Sequence, residues 1–254
     1  MTEPRRILIT GGTSGIGLAA ARRFAADPAT RIVLNGRDAG RGAAACMVLR
    51  AHLPADAVGF VAADISTQAG AARLVAESVE LLGGKIDVLV NSAGGEVKPA
   101  LFHDTTLDEI DATVRGWLLS TVYVCRLALA EIRDGGAIVN VASDAAKVPT
   151  PGEAVIGAAM AGIAVFSRTL AMEAKRRRIR VNAVTPSLVS GTRATERIMA
   201  GGFSAKLFEK AARAAHLGVA TPEDVAAVIA FLAGPETVRV TGQVVSVNGG
   251  ISAG

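Results

Sequence analysis

The chain has 254 residues, 50% of them hydrophobic and 20% charged, which suits one large α/β domain with a full core and excludes a disordered or linker-like protein. Its 27 basic and 23 acidic residues leave a formal charge of +4, too small and too dispersed to argue for a nucleic-acid partner. Cys46 and Cys125 are far apart with no CxxC spacing, so neither a disulfide framework nor a zinc site is expected, and a reducing cytoplasm fits.

The chain opens with Met1-Thr2-Glu3-Pro4-Arg5-Arg6 and runs straight into a strand-like segment, without a secretory pattern. Strands are predicted over 6–10, 31–35, 58–62, 88–91, 137–141, 180–184 and 244–247. Their Val, Ile and Leu runs do not alternate with polar residues, the pattern of strands buried on both faces. Helical patterns fall between them at 19–26, 41–52, 69–82, 107–133, 154–177 and 222–232. This alternation implies right-handed βαβ units in a doubly wound parallel sheet, and no linker or repeat divides residues 1–254. The longest apolar run, 154–166, makes about 20 Å of helix at about 1.5 Å per residue, short of a bilayer's roughly 30 Å core, so no membrane partner is expected. The run is apolar nearly all round, and a helix of that kind buries every face, one of them against a second chain. Residues 187–217 hold no strand, are punctuated by Gly191, Gly201 and Gly202, and are read as a substrate lid.

The first strand ends in Thr10-Gly11-Gly12-Thr13-Ser14-Gly15-Ile16-Gly17, and a helix follows at once. Glycines at 11, 15 and 17 let the backbone turn tightly and approach a pyrophosphate at the helix N-terminus. The acid that usually binds the cofactor ribose after the second strand is missing. In its place the strand ends Leu34-Asn35-Gly36-Arg37, and a guanidinium there favours NADP over NAD.

These residues, with Asn91-Ser92-Ala93-Gly94, the strand Ile138-Val139-Asn140-Val141-Ala142-Ser143, Ile179 to Pro186, and Thr241-Gly242-Gln243-Val244 followed by Asn248-Gly249-Gly250, stand in the order of the short-chain dehydrogenase/reductase family's motifs. The chain resembles that family over essentially its whole length. The resemblance implies a Rossmann-type, seven-stranded parallel sheet with helices on both faces, a nicotinamide cofactor, no metal, and a dimer or tetramer. It places Gly11, Thr13, Ser14, Gly15, Ile16, Gly17, Arg37, Asp64, Ile65, Asn91, Ala93, Gly94 and Thr192 at the cofactor.

The resemblance also implies a catalytic serine, tyrosine, lysine and asparagine, with the tyrosine about thirteen residues after the serine and the lysine four further on. Ser143 is present, but Ile156 and Met160 occupy the tyrosine and lysine positions, in a register anchored by Ala161-Gly162. Trp117 falls at the asparagine position. The chain's single tyrosine, Tyr123, precedes Ser143, so no shift of register restores a Tyr-x-x-x-Lys. Ile and Met neither donate nor accept a proton. Asp144, Glu153, Lys147, His103 and His216 are the titratable groups to weigh as substitutes, with Glu153 read first as a helix-terminus partner. Lys175 to Arg178 is read as charge complementing a helix C-terminus, with a phosphate-rich ligand such as coenzyme A as the alternative.

Three functions follow from this pattern. In the first, the chain is the non-catalytic subunit of a hetero-oligomer, expected to be a tetramer, whose active relative of the same fold carries the chemistry. Such an arrangement resembles the hydroxyacyl-CoA dehydrogenase of anaerobic toluene degradation, which acts on a benzylsuccinyl-CoA derivative. In the second, it is an oxidoreductase with relocated acid–base groups near Ser143. In the third, it is a dinucleotide-sensing binding protein.

Overall fold

The Val-, Ile- and Leu-rich runs form seven strands, β1 (Arg5–Thr10), β2 (Thr30–Gly36), β3 (Val58–Ala62), β4 (Ile86–Asn91), β5 (Ile132–Val141), β6 (Arg180–Pro186) and β7 (Val244–Val247). The computed structural model describes residues 3–96, 98–200 and 202–253; Met1, Thr2, Val97, Gly201 and Gly254 lie outside the described residues. All ladders are parallel, in the order β3-β2-β1-β4-β5-β6-β7. The order reverses between β1 and β4, and the crevice outside the carboxyl ends of these two strands is where an open α/β sheet binds ligands.

Successive side chains of a strand point to opposite faces, so one strand feeds two cores. Ile7 and Ile9 pack beneath α1 (Gly15–Phe24), α2 (Ala39–Arg50) and the later helix Pro222–Ala233, while Leu8 faces the cluster under α3 (Gln68–Leu82).

The helix expected over 107–133 is divided. α4 (Leu107–Thr113), opened by the reciprocal Thr106–Glu109 capping box, passes into a π-helical turn, Val114–Leu119, and then into α5 (Ser120–Ala128). β5 begins at Ile132, paired with Ile86, and the register shifts before Val88 meets Ala137. Gly135, at φ +87°, supplies the left-handed backbone for that shift, which a continuing helix has no place for. Strand pairing thus overrides the helical propensity of 129–133.

α6 (Ala154–Ala174) ends in a 3₁₀ turn, Lys175–Arg177. Residues Ala154–Arg177 together are long and apolar enough to cross a membrane by length and composition, so the estimate from the 154–166 run is too short. In the fold α6 is a core helix whose Ile163, Leu170 and Ala171 lie buried near β6. It is not buried all round. Ala154, Ala158, Val165 and Met172 form an exposed row, with Val165 and Met172 each 59% exposed. Arg177 spends its charge locally, on Asp134 at 2.8 Å and the Leu129 carbonyl at 2.6 Å.

The 187–217 segment carries α7 (Arg193–Met199) and α8 (Gly202–Ala214), and Val189 bridges to Ala220 before α9 (Pro222–Ala233). Arg180, at the start of β6, is buried and donates to the carbonyls of Leu232 and Gly234 at the end of α9 and to Thr237 Oγ1.

Candidate functional site

A cleft of about 1130 Å³ opens at the carboxyl ends of the central strands. Its floor begins with the glycine turn. Gly11 has φ +64°, and a Cβ there would stand 2.7 Å from the Ala93 backbone. Ser14 is the N-cap of α1 yet makes no side-chain cap, which leaves the helix N-terminus open to an anion. Gly11, Thr13, Ser14, Gly15 and Ile16 line the cleft, as do Arg37, Asp64, Ile65, Ala93, Gly94 and Thr192.

Two residues assigned to the cofactor sit elsewhere. Gly17 packs against the turn rather than lining the cleft: a Cβ would meet the Gly11 carbonyl oxygen at 2.4 Å. Asn91 is buried beneath the floor, where its Nδ2 donates to Asn140 Oδ1 at 2.9 Å and to Cys125 Sγ at 3.2 Å. Asn140 Nδ2 donates onward to Ser167 Oγ, which donates to the Ile163 carbonyl. Thr10 Oγ1 accepts from the Ser92 and Ala93 amides and so holds the strip after β4 in place. Burial pushes the Cys125 thiol up to about 12, so it acts here as a packing group and not as a nucleophile.

The other end of the cleft is apolar. Ile156 and Met160 are buried in one cluster with Ala142 and Ile163, against which Trp117 and Leu118 pack, and Ile156, Met160 and Trp117 all line the cleft. Trp117 stands on the π-helical turn and fills the space over two glycines. Its Nε1 lies 2.9 Å from where a Cβ on Gly94 would be, and its Cε3 3.0 Å from one on Gly95. Ser143 lines the cleft too, with its Oγ accepting weakly from the Ala145 amide at 3.3 Å.

The substitute acids and bases are mostly committed elsewhere. Asp144 is buried and accepts from Ser252 Oγ at 2.5 Å and Asn248 Nδ2 at 3.3 Å, which ties the loop after β5 to the C-terminal segment. Lys147 Nζ donates to Ser246 Oγ. His103 is exposed beside Asp104, His216 is exposed, and none of these four lines the cleft. Glu153 differs from the helix-terminus reading: it occupies the N-cap of α6 but makes no side-chain cap, and it lines the cleft. Burial raises its carboxyl above the usual range, opposed by a hydrogen bond with Thr150 and reinforced by Asp144.

Because a group with a raised folded pKa stabilises fully below its ordinary value near 4.5, wild type is expected to lose stability as pH rises through the folded pKa. Glu153→Gln should remove that slope in denaturant titrations run across pH 4–8. A parallel pH dependence in both proteins would contradict the burial of this carboxyl.

A seven-stranded parallel sheet with a glycine turn at its first βα junction and a cleft at the switch point defines a Rossmann-type protein. The family model described as enoyl-(acyl carrier protein) reductase matches residues 11–252. The chain is 34% identical to the 2,3-dihydroxy-2,3-dihydro-p-cumate dehydrogenase of Pseudomonas putida, covering 98% of this chain and 94% of that protein. It is 35% identical to the 3-oxoacyl-[acyl-carrier-protein] reductase FabG of Thermotoga maritima, covering 98% of each. A short-chain dehydrogenase from Burkholderia cenocepacia, solved in complex with NADP, superposes with a TM-score of 0.87 at 30% identity over 98% of each chain. The chain belongs to the short-chain dehydrogenase/reductase family of oxidoreductases.

Proposed function

We propose that this chain is an NADP(H)-binding, non-catalytic subunit of a hetero-oligomeric dehydrogenase in which a relative of the same fold performs the hydride chemistry. One observation carries the reading: Ile156 and Met160 present hydrocarbon and thioether to the cleft where the family resemblance assigns the proton-donating tyrosine and its lysine. The cleft's other end fits a dinucleotide. The turn from Gly11 to Ile16 suits a pyrophosphate, and Arg37 suits a 2′-phosphate. A bound nicotinamide supplies or accepts hydride in relatives of this kind. Here Met160 offers its ribose no cationic donor, so the chain holds the dinucleotide by its phosphates.

The exposed row on α6, with Val165 and Met172, supports a subunit contact on that face. The substrate class to test first on the assembled oligomer is a hydroxyacyl-CoA thioester, of the benzylsuccinyl-CoA type. Native mass spectrometry of the assembly purified from its own host, through a tag on this chain, should return a mixed tetramer with a second subunit of similar mass. A homo-oligomer that turns over substrate would overturn the reading.

Glu153 favours a second reading, an oxidoreductase with a relocated acid. There its protonated carboxyl would give a proton to a carbonyl oxygen held by Ser143 Oγ as hydride reached the carbon. Turnover by the pure chain, lost in both Glu153→Gln and Ser143→Ala, would establish it. No turnover across a panel of ketones and enoyl thioesters would dismiss it.

A further inference from the structure

The mouth of the cleft is crossed by one carboxylate. Glu96, on the segment after β4, accepts from Arg37 Nη2 through Oε1 at 2.5 Å, and the same oxygen lies 3.8 Å from Arg197 Nη1 on α7. Arg37 follows directly on β2, while Arg197 belongs to the 187–217 segment. A single side chain therefore ties the nucleotide end of the sheet to the segment read as a lid.

The neighbouring polar groups are already engaged. Asp38 caps α2 by accepting from the Arg41 amide at 2.8 Å and pairs with Arg41 Nε at 3.7 Å. Asn35 Nδ2 donates to the carbonyls of Val61 and Ala63, both at 3.1 Å. A Cβ at position 36 would stand 2.8 Å from Thr13 Cγ2, so a side chain there requires Thr13 to move. β2 ends in glycine at 36 and not in an acid, and the negative charge on Arg37 comes instead from Glu96, across the cleft.

We infer that Glu96 is an internal competitor for the 2′-phosphate of a bound nucleotide, and that its displacement from Arg37 releases the tie between β2 and α7. This rests on the dinucleotide reading proposed above. The exchange is chemically favourable in direction. A phosphate presents more charge and more acceptor oxygens to the guanidinium fork than one carboxylate does. The pair it replaces is more than half exposed on both sides, so water and salt already weaken it. A nucleotide without a 2′-phosphate has nothing to set against Glu96, and it leaves the tie closed. Glu96 therefore acts as a specificity-determining residue that lies on neither the glycine turn nor the end of β2.

The distinguishing signature is the sign of the effect, since removing an ordinary binding residue weakens its ligand. In calorimetry on the full chain, Glu96→Gln should tighten binding of 2′,5′-ADP by about two- to fivefold and leave 5′-ADP unchanged. Arg37→Ala should abolish the preference between the two. Without any nucleotide, hydrogen exchange in peptides covering 193–199 should be about two- to fivefold faster in Glu96→Gln than in wild type. Weaker or unchanged 2′,5′-ADP binding in Glu96→Gln overturns the competition, and unchanged exchange overturns the tie while leaving the dinucleotide reading standing. If neither protein binds either nucleotide, the dinucleotide reading falls and the competition falls with it.

Discussion

Wild type is expected to show no NADPH-dependent ketone reduction, the double variant Ile156→Tyr/Met160→Lys weak turnover, and the triple variant with Trp117→Asn at least about tenfold more than the double. Positions 156 and 160 are one turn apart on α6 and both line the cleft, so a tyrosine and a lysine placed there share a face with each other and open onto Ser143. A positioned general acid contributes roughly 10²–10⁴ in rate, which sets the scale of what these two positions lack. Trp117 limits the double variant. It packs on the Gly94 and Gly95 backbone and against the Ile156–Met160 cluster, and a larger side chain at 156 costs about 1–3 kcal/mol of overpacking unless the indole is removed. NADPH oxidation followed by absorbance reads the series directly. Turnover by wild type would shift the reading to Glu153. A triple variant that folds and binds NADPH yet stays inactive would show that a tyrosine, a lysine and an asparagine at these positions are not sufficient for turnover.

Arg180→Met is expected to destabilise the fold by about 3–5 kcal/mol, lowering Tm by roughly 6–10 °C for a chain of this size. Arg180 is 7% exposed, and burial lowers its pKa, so its guanidinium is held charged at a desolvation cost. Its bonds to Leu232 O at 2.5 Å, Thr237 Oγ1 at 3.0 Å and Gly234 O at 3.1 Å close the carboxyl end of α9 over the start of β6. Methionine fills the volume but donates nothing, so the Leu232 and Gly234 carbonyls lose their charged donor and share what the Thr237 hydroxyl, at 3.1 Å from each, and the Thr237 amide can supply. Thermal denaturation followed by circular dichroism measures the loss. A change below about 1 kcal/mol would mean that water reaches these carbonyls and replaces the arginine.

The strand that holds Arg180 was legible in the sequence; the role of Arg180 was not. The same division runs through the cleft. Local pattern is enough to place a strand, because burial on both faces demands an unbroken run of Val, Ile and Leu, and enough to place the glycine turn, because few sequences tolerate that backbone. The β5 boundary escaped it, since Ala-Glu-Ile-Arg favours helix and only the pairing of Ile132 with Ile86 overrides that preference. Asn91 shows the limit most clearly. Its place in a motif suggested a cofactor contact, whereas its side chain runs under the sheet to Asn140 and Ser167, residues 49 and 27 positions further along that chain of bonds.

The sequence by itself determined the fold class, the order of strands and helices, the glycine turn and the absence of a tyrosine–lysine pair, because each of these is a property of residue type at short range. Only the tertiary structure decided which acids face the cleft. Asp144 and Lys147 are drawn to the C-terminal segment, Glu153 is left at the apolar wall, and Glu96 reaches Arg37 from another strand's end. Those partners are joined by the parallel sheet, which brings the carboxyl ends of distant strands to one edge, and no local spacing records which side chains will meet there.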